Sequence, residues 1–164
     1  MSEPTSYSPR SRWLHWLTVP LLGASVFTGM AGEGLTALRA HVLVGATIVT
    51  VMLIRFFTRR PAPPPMAPGR RRLYESNHRA LYALVALLAF TGGAVVFTNG
   101  LVPVLLGDAP IPTEIPHIPH QLLAFGLIFT IIAHVVGVAT YQARTGDVLS
   151  RMLPRPRKRP SPSP

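Results

Sequence analysis

Long apolar runs, interrupted by short polar or proline-rich stretches, dominate this chain. Four of them, over residues 13–31, 35–57, 80–98 and 119–141, approach or exceed the roughly 20 helical residues needed to cross a hydrocarbon core of about 30 Å. No alternating strand pattern competes with them, and no internal repeat is evident. The pattern predicts an all-α integral membrane protein, a four-helix bundle with both termini on one side.

The interruptions predict how the helices are joined. The first turn, Gly32-Glu33-Gly34, is short enough to make the first two helices antiparallel neighbours. The stretch from 58 to 77 contains Pro61-Ala62-Pro63-Pro64-Pro65, which favours a stiff extended conformation and reads as a loop bridging two helix ends. The stretch from 99 to 118 mixes Leu101, Val102, Val104, Leu105 and Leu106 with Pro103, Pro110, Pro112 and Pro116, and is expected to hold a short interfacial segment roofing the bundle. Pro119 suits the first turn of the last helix. Pro20 lies inside the first, where a kink is expected. Residues 1–9 read as a disordered tail, 10–153 as the membrane domain and 154–164 as a basic, proline-rich tail.

Composition agrees with the pattern: of 164 residues 48% are hydrophobic and only 13% charged, so a membrane class replaces a soluble one. The formal net charge of +10 raises the question of nucleic acid, and its placement answers it. With the N-terminus inside, 15 of the 16 basic residues fall on the inside and only Arg39 outside, the bias that orients short loops in a bilayer. The surplus is explained by topology and anionic headgroups; nucleic-acid binding is not expected, and both termini are placed in the cytoplasm. No cysteine is present, which excludes disulfides and cysteine-ligated clusters. Arg10 and Arg12 before an apolar run ending in Gly29-Met30-Ala31-Gly32 resemble a cleavable signal. The run is read as an uncleaved first helix, because cleavage would remove His15.

Against this background four histidines stand out, since polar rings at bilayer depth are functional by default. His120 and His134 are fourteen residues apart on one predicted helix, which brings them to nearly one face at about 100° per residue and separates them by roughly 21 Å along the axis. His15, at the inside start of the first helix, is level with His134; His41, at the outside start of the second, is level with His120. Pairs of neutral imidazoles at two depths are what two b-type haems need. Filling both axial positions favours electron transfer over oxygen binding. A haem-free protein using the same rings for a metal or substrate is the competing reading.

Other residues are assigned around the pairs. His117 is about 100° off the shared face and is placed at the outside surface. His78, at the inside start of the third helix, is placed at headgroup level or against a quinone or propionate. Arg12 and Arg79 are candidate propionate donors at the inside, and Arg39, the sole outside cation, is a candidate propionate partner and a lure for anionic reactants. Gly45, Gly92, Gly93, Gly126 and Gly137 suit close approach to a flat macrocycle or ordinary helix packing. Trp13, Trp16, Tyr82 and Tyr141 fit aromatic belts.

Arg12-Trp13-Leu14-His15-Trp16, the Ala40-His41-Val42 helix start with Arg55 at its end, Asn77-His78-Arg79-Ala80-Leu81-Tyr82, and His120 with Ala124-Phe125-Gly126 and His134 together resemble the prokaryotic cytochrome b561 family, as does the Arg151-Met152-Leu153-Pro154-Arg155 tail. The resemblance implies a multi-pass dihaem protein of the bacterial cytoplasmic membrane, with His15, His41, His120 and His134 as axial ligands. It further implies electron exchange between the quinone pool, with ubiquinone as the expected substrate, and a one-electron partner. That partner is expected to be a small donor such as superoxide or a redox protein. The alternative role is a cytochrome b anchor subunit serving a dehydrogenase or cytochrome c. The proline-rich loop before His120 departs from the family's pattern.

Overall fold

A computed structural model describes residues 7–31, 34–58, 67–145 and 148–153, with Ser150 described by its backbone alone. Among these residues every regular element is helical: α1 (Pro9–Ala31), α2 (Leu35–Thr58), α3 (Pro68–Thr98), α4 (Leu101–Leu106), α5 (Ile118–Thr145) and α6 (Val148–Met152). The four long helices run up and down in chain order. α1 packs along α2 and α3 along α5, forming two hairpins that meet each other more sparsely, chiefly through α2 and α3. Their shared core is Ile48, Val85 and Leu127, surrounded by half-buried residues that include Leu21, Leu22, Met52, Leu84 and Ile131.

The outward faces are as apolar as the inward ones. Phe27, Leu43, Phe57, Phe90, Leu122 and Phe129 are each at least 65% exposed, a density of bare apolar surface that water does not tolerate and lipid does. By length and composition α2, α3 and α5 each suffice to cross a membrane. α1, whose apolar stretch also holds His15, Thr18, Pro20, Ser25 and Thr28, is not among those three. It is nevertheless continuous through Pro20.

One element differs from the sequence reading. The third helix starts at Pro68 rather than near residue 80, because a proline in the first turn and a run of arginines propagate a helix where a loop was expected. Arg71 and Arg79 both pair with Glu75 on its exposed side, at 2.9 and 3.4 Å, and the hydrogen bond from Arg71 holds that carboxyl below its ordinary range. The Pro61 to Pro65 bridge and both terminal tails lie outside the described residues. In the 99–118 stretch the short interfacial helix is present as α4. Glycines with positive φ, Gly100 and Gly107, bracket it, and it buries Leu101 and Val104 against the bundle. It roofs one end; the opposite, basic end gathers Arg10, Arg12, Arg55, Arg144 and Arg151.

Candidate functional site

The four histidines form two pairs, each joining one hairpin to the other. Near the roof, His41 of α2 and His120 of α5 face each other with ring centroids 6.1 Å apart. Near the basic end, His15 of α1 and His134 of α5 stand 6.5 Å apart. The depth matching expected from the sequence is thus what the fold brings together.

The roof-side pair is held by two matching cradles. His41 Nδ1 lies 3.0 Å from the Ser25 carbonyl and 3.3 Å from Thr28 Oγ1. The Thr28 hydroxyl already donates to Ala24 at 2.8 Å, so both neighbours accept and His41 carries its proton on Nδ1. His120 repeats this on the other hairpin: its Nδ1 is 3.1 Å from Thr91 Oγ1, and that hydroxyl donates to Leu87 at 2.9 Å. In both rings the network assigns the proton to Nδ1 and leaves Nε2 with a free lone pair, the tautomer a metal-binding imidazole needs. A glycine follows each threonine, and a Cβ built on it would come within 3.0 Å of His41 at Gly29 and 3.1 Å of His120 at Gly92.

The basic-end pair has a different setting. Arg55 Nη1 is 2.9 Å from His15 Nδ1; a guanidinium only donates, so here His15 accepts. A third imidazole, His78, lies edge-on to His134 at 4.9 Å and turns its Nδ1 to the Tyr74 carbonyl at 2.8 Å. Tyr74 stacks tilted on His78 at 4.2 Å and shares a 3.0 Å hydrogen bond with Tyr7. This belongs to the part of α3 that precedes the apolar stretch, where burial and then the Tyr7 hydrogen bond push the Tyr74 phenol above its ordinary range.

Other predicted residues are engaged with backbone carbonyls. Arg12 Nη1 donates to the Leu153 carbonyl at 2.8 Å, and Trp16 Nε1 to that of Met152 at 3.0 Å, so both clamp the C-terminal segment. Arg12 Nε is buried with no hydrogen-bond partner among the described residues. Arg39 Nε donates to the Leu105 carbonyl at 2.8 Å, which ties it to the roof. His117 contacts the Ile115 carbonyl at 2.5 Å on the exposed side of the α5 start. Of the glycines singled out in the sequence only Gly92 meets an imidazole; Gly45, Gly93 and Gly137 have nothing within 4 Å, and Gly126 faces Leu84.

The cradles expose a repeat that the sequence reading lacked. Phe27-Thr28-Gly29 and Phe90-Thr91-Gly92 are the same tripeptide, each thirteen residues after a histidine, His15 and His78. On the partner helices, the residues fourteen after His41 and His120 are Arg55 and His134. The core keeps this register, since Leu21 matches Leu84, Leu22 matches Val85, Ile48 matches Leu127 and Met52 matches Ile131, all in one cluster. The short tripeptide was the only available signal, overshadowed by apolar residues that any membrane helix shares.

Does this arrangement suit a haem? An imidazole nitrogen sits about 2 Å from a first-row metal, so two ligands on opposite faces of an iron place their ring centres about 6 Å apart, close to both observed separations. Two donors per level suit a group that brings its own four equatorial nitrogens. A bare ion needs more, and among the described residues no cluster of three or more ligating side chains is positioned for one. A family model described as prokaryotic cytochrome b561 matches residues 6–155. No curated protein and no solved structure matches the chain.

Proposed function

The chain belongs to the prokaryotic cytochrome b561 family, multi-pass membrane proteins that transfer electrons on haem b, and on that footing we propose that it passes single electrons across the membrane through two b haems. His41 and His120 would hold the roof-side haem, and His15 and His134 the other. The observation that carries this reading is the pairing of four imidazoles from three helices at two levels, at separations suited to trans ligation.

When bound, such haems supply reversible one-electron exchange, and ligation on both faces disfavours oxygen binding. The chain's own residues do the rest. Thr28, Ser25 and Thr91 hold two imidazoles by Nδ1 and aim Nε2 inward. Arg12, with its buried Nε, is a donor for a propionate at the basic end. Arg39 spends one donor on Leu105 and remains exposed, which suits it to draw small anions to the roof. All four long helices span the bilayer, α1 included, since its Phe27 and Met30 are bare; the basic end faces the cytoplasm of a bacterial cell.

The electron partners follow from the same residues. The exposed Arg39 supports a small anionic one-electron donor, superoxide, at the roof. Ubiquinone serves as the two-electron carrier at the other end of the path. Protein alone in liposomes, given ubiquinol or superoxide, should change the redox state of its haem without an added subunit. Turnover that requires a copurifying dehydrogenase or cytochrome c would make it an anchor subunit instead.

A further inference from the structure

We propose that the groove between α2 and α3 is the quinone site, with the isoprenoid tail in the groove and the head group at its lip toward the basic end. This rests on the quinone reading above. The groove has a volume of about 460 Å³, within the usual range for small-molecule sites of about 300–1,000 Å³. Val49, Met52 and Leu53 line one wall and Val85, Ala86 and Ala89 the other, with Phe56 and Tyr82 at one end. The small side chains of α3 keep it open, and of its lining Leu53, Phe56, Ala83 and Ala86 are exposed, so a tail can enter from lipid.

The lip distinguishes this groove from a slot for an acyl chain, which needs no polar group. Phe56 and Tyr82 stand edge-on at 6.2 Å, an aromatic corner against which a flat ring can pack. Tyr82 carries a hydroxyl, and His78 lies one turn away on the same helix face. Arg55 adjoins Phe56. The residues next to the lip along the two helices reach the electron path: His78 is 4.9 Å from His134 and Arg55 is 2.9 Å from His15. Were His15 to hold a haem through Nε2, its Nδ1 would carry the proton, and the Arg55 guanidinium would need another acceptor, which a quinone carbonyl would supply.

The internal repeat gives the same answer independently. His15 and His134 bridge α1 and α5; their counterparts on the other seam are His78 and Arg55. Where the groove has Tyr82 and Phe56, the matching positions hold Val19 and Val135. One seam thus keeps a ligand pair, while its counterpart has gained an arginine, a phenol and an open groove.

The test measures haem reduction by ubiquinols of different tail length in the full-length, haem-loaded protein. Ala86→Trp fills the groove and should raise the apparent KM for a long-tailed ubiquinol at least tenfold while leaving a tailless quinol nearly unaffected. Tyr82→Phe should raise KM for both. Leu87→Trp, on the same helix outside the groove, should change neither, and haem spectra and reduction by dithionite should stay at wild-type values throughout. Unchanged KM for the long-tailed quinol in Ala86→Trp, with wild-type protein still quinol-reducible, overturns the groove assignment alone. Wild-type haem that no quinol reduces overturns the quinone reading and this site with it.

Discussion

Gly29 of α1 stands so close to the imidazole of His41 on α2 that a Cβ added there would lie 3.0 Å from ring carbon Cε1. Carbon atoms prefer a separation of about 3.5–4.0 Å, so the ring would have to move. Gly92 and His120 repeat the relationship at 3.1 Å. These glycines let the Cε1–Nδ1 edge of each imidazole press against a neighbouring helix while its Nδ1 reaches that helix's threonine. Gly29→Ala should therefore weaken the roof-side haem selectively, and Gly29→Val should abolish it, while the basic-end haem stays. Haem stoichiometry and separate redox titration of the two centres check this.

The threonine cradles predict a milder effect. Thr28→Val and Thr91→Val remove a hydrogen-bond acceptor from Nδ1 without changing volume much. Losing such an outer partner typically costs 10- to 100-fold in metal affinity. A less basic ligand also stabilises the oxidised iron less, so the roof-side midpoint potential should rise. A shift confined to the basic-end haem would contradict the cradle assignment.

Arg39 fastens α4 to α2 through the Leu105 carbonyl. A hydrogen bond to a charged donor contributes about 1.5–3 kcal/mol when sheltered, and less at this exposed position, so Arg39→Gln should loosen the roof modestly; faster amide exchange at Gly107 and Asp108 would report it. Removing the cation should also slow reaction with superoxide and flatten its dependence on ionic strength. Unchanged kinetics would leave Arg39 a structural fastener only.

Trp16 and Arg12 hold the carbonyls of Met152 and Leu153. Trp16→Phe keeps the aromatic packing and deletes one donor. It should raise protease sensitivity at the C-terminal segment while both haems remain. Loss of haem in Trp16→Phe would show that the segment shapes the His15 site directly.

The helices and the imidazole pairing were legible in the sequence because their causes are local and periodic: apolar runs set the helices, and a fourteen-residue spacing put His120 and His134 on one face. The start of α3 was hidden, since proline and arginine are as common in loops as in a first helical turn. Arg39 and Arg12 each hold a backbone carbonyl as well, contacts that leave no signature in a sequence. Thr28 and Thr91 escaped notice because a threonine in a membrane helix ordinarily bonds only its own preceding turn. Both do so, and their second role depends on a ring from another helix.

The central claim is that two haems are held by two separate histidine pairs, and counting haem per chain in single alanine variants tests it most directly. Wild-type protein should contain two b haems, with reducible b-type absorption bands. His41→Ala and His120→Ala should each retain only the basic-end haem, and His15→Ala and His134→Ala only the roof-side one, so the two classes of variant leave spectrally complementary centres. Protein without reducible b-haem bands, or a His41 variant that keeps two haems, would contradict the account.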